Sequence, residues 1–179
     1  MYSYQRPVKM IWGIQRKYVL LSLLAGMGAG FVAIWIEGIY IQDVFWVYSE
    51  STLFVIIVVC VIAPLVEESV KPLGLYLIRT EENPDLSIRD WTILGVLAGF
   101  GFGFLENLLY GLTLSFFNAE AGLLLFAIRS GLPLHMITTG IASYGYGLSK
   151  LTGKILDFGK YLGIAVLIHG LFNFAAIMI

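Results

Sequence analysis

The chain has 179 residues, a formal net charge of −1, 59% hydrophobic residues and a mean hydropathy of +0.86. That hydropathy excludes a soluble globular protein. The longest clearly polar loop is about a dozen residues, too short for a separate soluble domain. Residues 1–179 therefore read as a single integral membrane domain, all-α and polytopic, surrounded by a lipid bilayer and with no nucleic-acid partner.

In chain order, Arg6, Lys9, Arg16 and Lys17 precede a first apolar span at 18–36. The run Tyr18–Ile36 exceeds the ~7–15-residue core of a secretory leader and reads as a retained helix. Its Gly26 and Gly30 share a face where another backbone can approach. Segment 37–51 carries Glu37, Asp43 and Glu50 with no Lys or Arg, and its Tyr40, Phe45, Trp46 and Tyr48 suit a stretch at the outer interface. The second span, 52–78, holds Cys60 as an ordinary apolar-facing residue, then Pro64, Glu67, Glu68, Lys71 and Pro72. A proline inside a helix frees the carbonyl four residues back, which for Pro72 belongs to Glu68. In the loop 80–90, Asn83-Pro84 marks a turn and Ser87 to Asp90 a helix N-cap.

The third span, 91–117, places Gly95, Gly99 and Gly103 on one stripe that continues to Asn107, with Glu106 beside it. The fourth, 121–148, contains Arg129, Pro133, His135, Thr138 and Thr139, and the fifth, 161–179, contains His169 and Asn173. Spans two to four are each about 40 Å long at 1.5 Å per residue, more than a ~30 Å hydrocarbon core, so they tilt, kink or overhang. Arg79, Arg89, Lys150, Lys154 and Lys160 fall in loops on the side of the basic N-terminus, and Glu120 falls with the acidic loops. The positive-inside rule then sets the N-terminus in the cytoplasm and the C-terminus outside.

A charged side chain at mid-bilayer costs ~2.5–3.5 kcal/mol on insertion scales, so intramembrane charges are paired or functional. Glu67 and Glu68 diverge by about 100° on a helix, and Lys71 is within reach of either, which leaves one carboxylate without a partner on its own helix. Glu106 has only Phe102 and Tyr110 on its stripe and needs a partner from another helix, or a metal. Arg129 is expected to pair with Glu106 or with a lipid headgroup. Thr138 and Thr139 are expected to back-bond to their own helix. His169 and Asn173, four residues apart, share a face, and either can donate to a developing oxyanion. If the third span overhangs the cytoplasmic surface, Glu67, Glu106, His135 and His169 fall in one layer in the cytoplasmic half of the bilayer.

Taken in order, Glu67-Glu68-Ser-Val-Lys71, Phe102-Gly-Phe-Leu-Glu106-Asn107, His135 and His169-Gly-Leu-Phe-Asn173 resemble the motif set of the PrsW family. That family belongs to a wider group of intramembrane endopeptidases that includes the CAAX-processing proteases and bacteriocin-processing or self-immunity proteins. The likeness covers about residues 64–175. It implies a helical intramembrane peptidase acting on membrane-anchored substrates of the anti-sigma-factor type, at the cell membrane. Carried over by position, Glu67 matches the water-activating residue of the pair and Glu68 its neighbour. Glu106 takes the acidic place in the second motif, and His135, His169 and Asn173 the later ones. The CAAX-type pattern differs: Lys71 stands one position before its Arg, Pro72 occupies that Arg position, and Glu106 stands in place of a His.

Hydrolysis of a peptide bond in a membrane needs a water, a base and donors for the oxyanion. Glu67 serves as base, His169 and Asn173 as donors, and His135 as a further donor or proton shuttle. Glu68 belongs to the catalytic set, and Asn107, Lys71, Arg129 and Glu106 support it. Alternatively Glu106, His135 and His169 ligate one divalent, zinc-type ion whose water Glu67 deprotonates. With no HExxH spacing in the chain, the metal-independent glutamate route is modestly preferred. Two readings from other classes remain, a non-catalytic immunity or interaction protein and a small proton- or ion-coupled carrier. The carrier should show a polar path to both faces and inverted repeats, and neither is evident.

Overall fold

Among the described residues, five helical segments are long and apolar enough to cross a membrane: Arg16–Gly38, Thr52–Leu75, Ile88–Ser115, Ala119–Thr152 and Ile155–Met178. They are seen in a computed structural model that describes residues 10–48, 51–77 and 86–178. The protein is thus a polytopic helical membrane protein. Asn83-Pro84, Arg79 and Glu50 lie outside the described residues.

The chain enters through a short hairpin of β1 (Met10–Ile11) and β2 (Ile14–Gln15), paired antiparallel. Trp12 and Gly13 between them have φ of 51° and 84°, the left-handed pair that a two-residue hairpin turn requires. Ile14 is buried with Tyr18, Leu75, Leu94 and Tyr146, so the hairpin closes one end of the bundle.

Helix α1 (Arg16–Tyr48) runs parallel to α5 (Ile88–Ser115). The Ser22 hydroxyl donates to the Leu94 carbonyl, Gly26 meets the Ala98 backbone, and Gly30 abuts Leu105. On another side α5 meets α7 (Leu134–Thr152) antiparallel, with Gly95 against Ser143, Gly99 against His135 and Met136, and Gly103 against the His135 ring. The glycine stripe expected to admit a neighbouring helix is therefore where α7 and its histidine seat. Helix α8 (Ile155–Met178) returns along α7, with Gly145 beside Tyr161. Ser87 and Asp90 cap α5 reciprocally, as their spacing predicts.

The second span is irregular. It comprises α2 (Thr52–Ile57), a π-helical turn (Val58–Ile62), α3 (Ala63–Val70), a turn at Lys71 and Pro72, and α4 (Leu73–Leu77). In the π register the carbonyl of Val59 would accept from the residue five ahead, which is Pro64 and has no N–H.

Three expectations need correction. The fourth span is not one helix: α6 (Ala119–Ser130) ends before Gly131, and α7 begins only after Pro133. The last span starts at Ile155 rather than 161, so Lys160 is helical. Helix α1 continues to Tyr48, which makes Glu37 a helical residue and not part of an interfacial loop.

Candidate active site

The polar residues of the four spans meet in one place. At its centre is Lys71, fully buried (0% exposed), whose ammonium donates to Glu67 Oε2 at 3.1 Å and to Glu68 Oε1 at 2.7 Å. It also lies 2.9 Å from His135 Nδ1 and 4.1 Å from the centre of the Phe102 ring. Both carboxylates of the pair therefore share one cation, whereas the helix geometry alone suggested that one would be left over. The turn at Pro72 follows directly and ends α3 with Lys71 at its C-cap.

Glu68 faces away from open space. Its Oε1 accepts from Lys71, from the Thr138 hydroxyl at 2.9 Å and from His169 Nδ1 at 2.9 Å. Thr138 thus reaches across to α3, and its contact with the His135 carbonyl is longer, at 3.4 Å. Glu67 lies one residue earlier and lines a cavity of about 370 Å³ together with Glu106, His135, His169 and Asn173.

His135 is held at both ring nitrogens. Glu106 Oε2 lies 2.7 Å from Nε2, and Glu67 Oε2 is 3.8 Å from Nδ1. Glu106 has the cation it was expected to need, the Arg129 guanidinium at 3.2 Å. Arg129 also donates from Nε to the Asn107 side-chain oxygen at 2.9 Å and stacks over Tyr110. The break between α6 and α7 lets Arg129 and His135 address the same carboxylate although six residues separate them. The imidazole rings of His135 and His169 meet edge to face, 5.3 Å between centres.

These contacts assign the imidazole protons. His135 Nε2 faces the Glu106 carboxylate and His169 Nδ1 faces Glu68, so in a neutral imidazole those are the nitrogens suited to carry the N–H. In that tautomer His135 Nδ1 and His169 Nε2 keep their lone pairs and act as acceptors. Glu67, His135 and His169 each offer a ligand atom, all within 4.8 Å of one another. The donor set expected from sequence, Glu106 with the two histidines, is corrected in one member. Glu106 sits on the far nitrogen of His135, where a carboxylate orients an imidazole and raises its basicity, and Glu67 takes its place.

Asn173 lines the cavity, but its amide donates to the Val59 carbonyl at 2.9 Å. That carbonyl belongs to the π turn, so Asn173 joins α8 to the second span. Gly170 packs against the neighbouring Cys60 carbonyl on the same surface. Glu106 lies about 27 Å along α5 from Ile88, and His169 about 21 Å along α8 from Ile155, at 1.5 Å per residue. On α5 and α8 the site therefore lies past the helix midpoint, whereas on the second span Glu67 is about 12 Å from Leu75, which packs with the hairpin residue Ile14.

Sequence reasoning missed Glu37 by placing it in a loop. Its side chain lines the first cavity and a second of about 430 Å³, and Glu67, Glu106 and Tyr110 form the shared wall between them. The signal was present, since the residue follows Tyr18–Ile36 without a helix breaker.

Residues 15–179 match the family described as PrsW family intramembrane metalloprotease. No curated protein and no solved structure matches the chain.

Proposed function

The chain belongs to the PrsW family of intramembrane metalloproteases, and from that membership we propose that it hydrolyses peptide bonds of membrane-anchored proteins at Glu67, His135 and His169. Anti-sigma-factor-like proteins of the cell membrane are the substrate type. The observation that carries the reading is the convergence of these three side chains, from three helices, on one cavity at membrane depth.

A divalent ion suits the donors. Two imidazole lone pairs and one carboxylate make a catalytic zinc-type set, and each imidazole is backed by its own carboxylate, Glu106 or Glu68. When bound, such an ion would acidify a water and polarise the scissile carbonyl. The chain's own residues do the rest. Glu106 and Glu68 fix the tautomers of His135 and His169. Arg129 neutralises Glu106, and Lys71 with Thr138 holds Glu68 in register. In this reading the imidazole N–H groups face carboxylates, and the two histidines act as ligands rather than as oxyanion donors.

One observation favours a second, metal-free reading: the Lys71 ammonium already touches two of the three donors, Glu67 and His135. Lys71 would then be the resident cation, and Glu67 would take the proton of the attacking water.

The two readings separate on purified protein with a membrane-anchored reporter. Under the metal reading, about one zinc-type ion is bound per chain. Chelation stops cleavage, and His169→Ala loses both ion and activity. Cleavage that persists in metal-free protein yet disappears in Glu67→Gln selects the glutamate route. Undiminished cleavage by Glu67→Gln overturns both.

A further inference from the structure

Glu37 differs from the other carboxylates around the cavity in making no ion pair among the described residues. Glu67 and Glu68 hold Lys71, and Glu106 holds Arg129. Glu37 Oε1 is buried and has no hydrogen-bond partner among the described residues. An uncompensated carboxylate inside a membrane protein is costly, and the cost is relieved when a cation or a donor arrives. The position allows this, because Glu37 lines both cavities at the wall shared with Glu67 and Glu106. A substrate Lys or Arg can bring such a charge, its long apolar stem lying along the cavity wall and its head at the carboxylate.

We propose that Glu37 is a specificity-determining residue that receives a basic side chain of the substrate, next to the bond addressed by Glu67, His135 and His169. The inference rests on the peptidase reading of that site and names a class of substrate for it: membrane-anchored segments with a Lys or Arg entering the cavity beside the scissile bond. Glu37 takes no part in proton transfer. Its carboxylate forms an ion pair in surroundings poor in water, where one charge discriminates strongly between otherwise similar side chains.

The test uses full-length protein in liposomes and a set of single-span model peptides in which one Lys is moved along the chain, each matched by a norleucine peptide. In the wild type, one Lys register should be cut at least ~10-fold faster than its norleucine match. In Glu37→Gln that ratio should fall to about one, and in Glu37→Lys the preference should pass to a Glu-bearing peptide. A ratio unchanged by Glu37→Gln overturns the proposal. Binding of the same peptides to Glu67→Gln, read by fluorescence anisotropy, isolates the subsite from the chemistry. The Lys peptide should bind at least ~10-fold more weakly once Glu37→Gln is added, and equal binding overturns the proposal even where no cleavage is seen. Selective binding without cleavage by the wild type would instead count against the peptidase reading and leave the Glu37 subsite standing.

Discussion

Lys71 shows how the site is balanced residue by residue. It is completely buried and bonded to two carboxylates and an imidazole, so its loss strands negative charge in a medium that cannot solvate it. Breaking a buried pair from one side costs about 3–5 kcal/mol, whereas removing both partners is far cheaper. Lys71→Met should therefore lower the thermal unfolding temperature in detergent sharply, and Lys71→Met with Glu68→Gln should recover much of the loss. If the double variant is as unstable as the sum of the singles, Lys71 and Glu68 are not an energetic pair. That Glu67, Glu68, Lys71, Glu106, Arg129, His135 and His169 needed partners was legible in the sequence, because ionisable residues inside apolar spans are rare enough to announce themselves, whereas Glu37 was missed. The pairing of these residues was not legible. Which nitrogen of His135 meets Glu106, and that one ammonium serves both Glu67 and Glu68, depend on side-chain reach across helices, and the spacing of residues within one helix does not contain that.

At the scale of elements, the π turn of the second span and α8 explain each other. Pro64 cannot donate to the Val59 carbonyl, and Asn173 does so instead from 114 residues away in sequence. An orphaned buried carbonyl costs about 1–3 kcal/mol, so Asn173→Ala should destabilise the protein by that order. In a Pro64→Ala background the chain regains an N–H at that place, and Asn173→Ala should cost measurably less. Additive effects in this double-mutant cycle would show that the amide does not substitute for the missing donor. Span number was readable from hydropathy, and the α5 N-cap from Ser87 and Asp90. The break after Ser130 was harder to see, although Gly131 and Pro133 mark it, because apolar residues run straight through. The π turn carried no local signal, since its compensating partner lies on the last helix.

At the scale of the molecule, the packing fixes which ends of the helices lie together. With α1 parallel to α5, α5 antiparallel to α7 and α7 antiparallel to α8, the residues Arg16, Lys17, Arg89, Lys150, Lys154 and Lys160 gather at one end of the bundle. The α5–α6 turn with Phe117 and Glu120 lies at the other, toward which the cavity walls at Leu132, Phe172 and Ala176 extend. If basic residues stay in the cytoplasm, the cavity is reached from the outer side, and the substrate presents its extracytoplasmic flank to Glu67. That orientation is testable without any substrate. In a Cys60→Ser background, a cysteine introduced by Phe117→Cys should react with a membrane-impermeant maleimide on intact cells, because Phe117 is 86% exposed. One introduced by Lys154→Cys should react only after permeabilisation. The reverse pattern would put the cavity mouth on the cytoplasmic side and require a substrate cut from within the cell. The choice matters for the chemistry, because it decides which flank of a membrane-anchored protein can enter the space between Glu37 and His169.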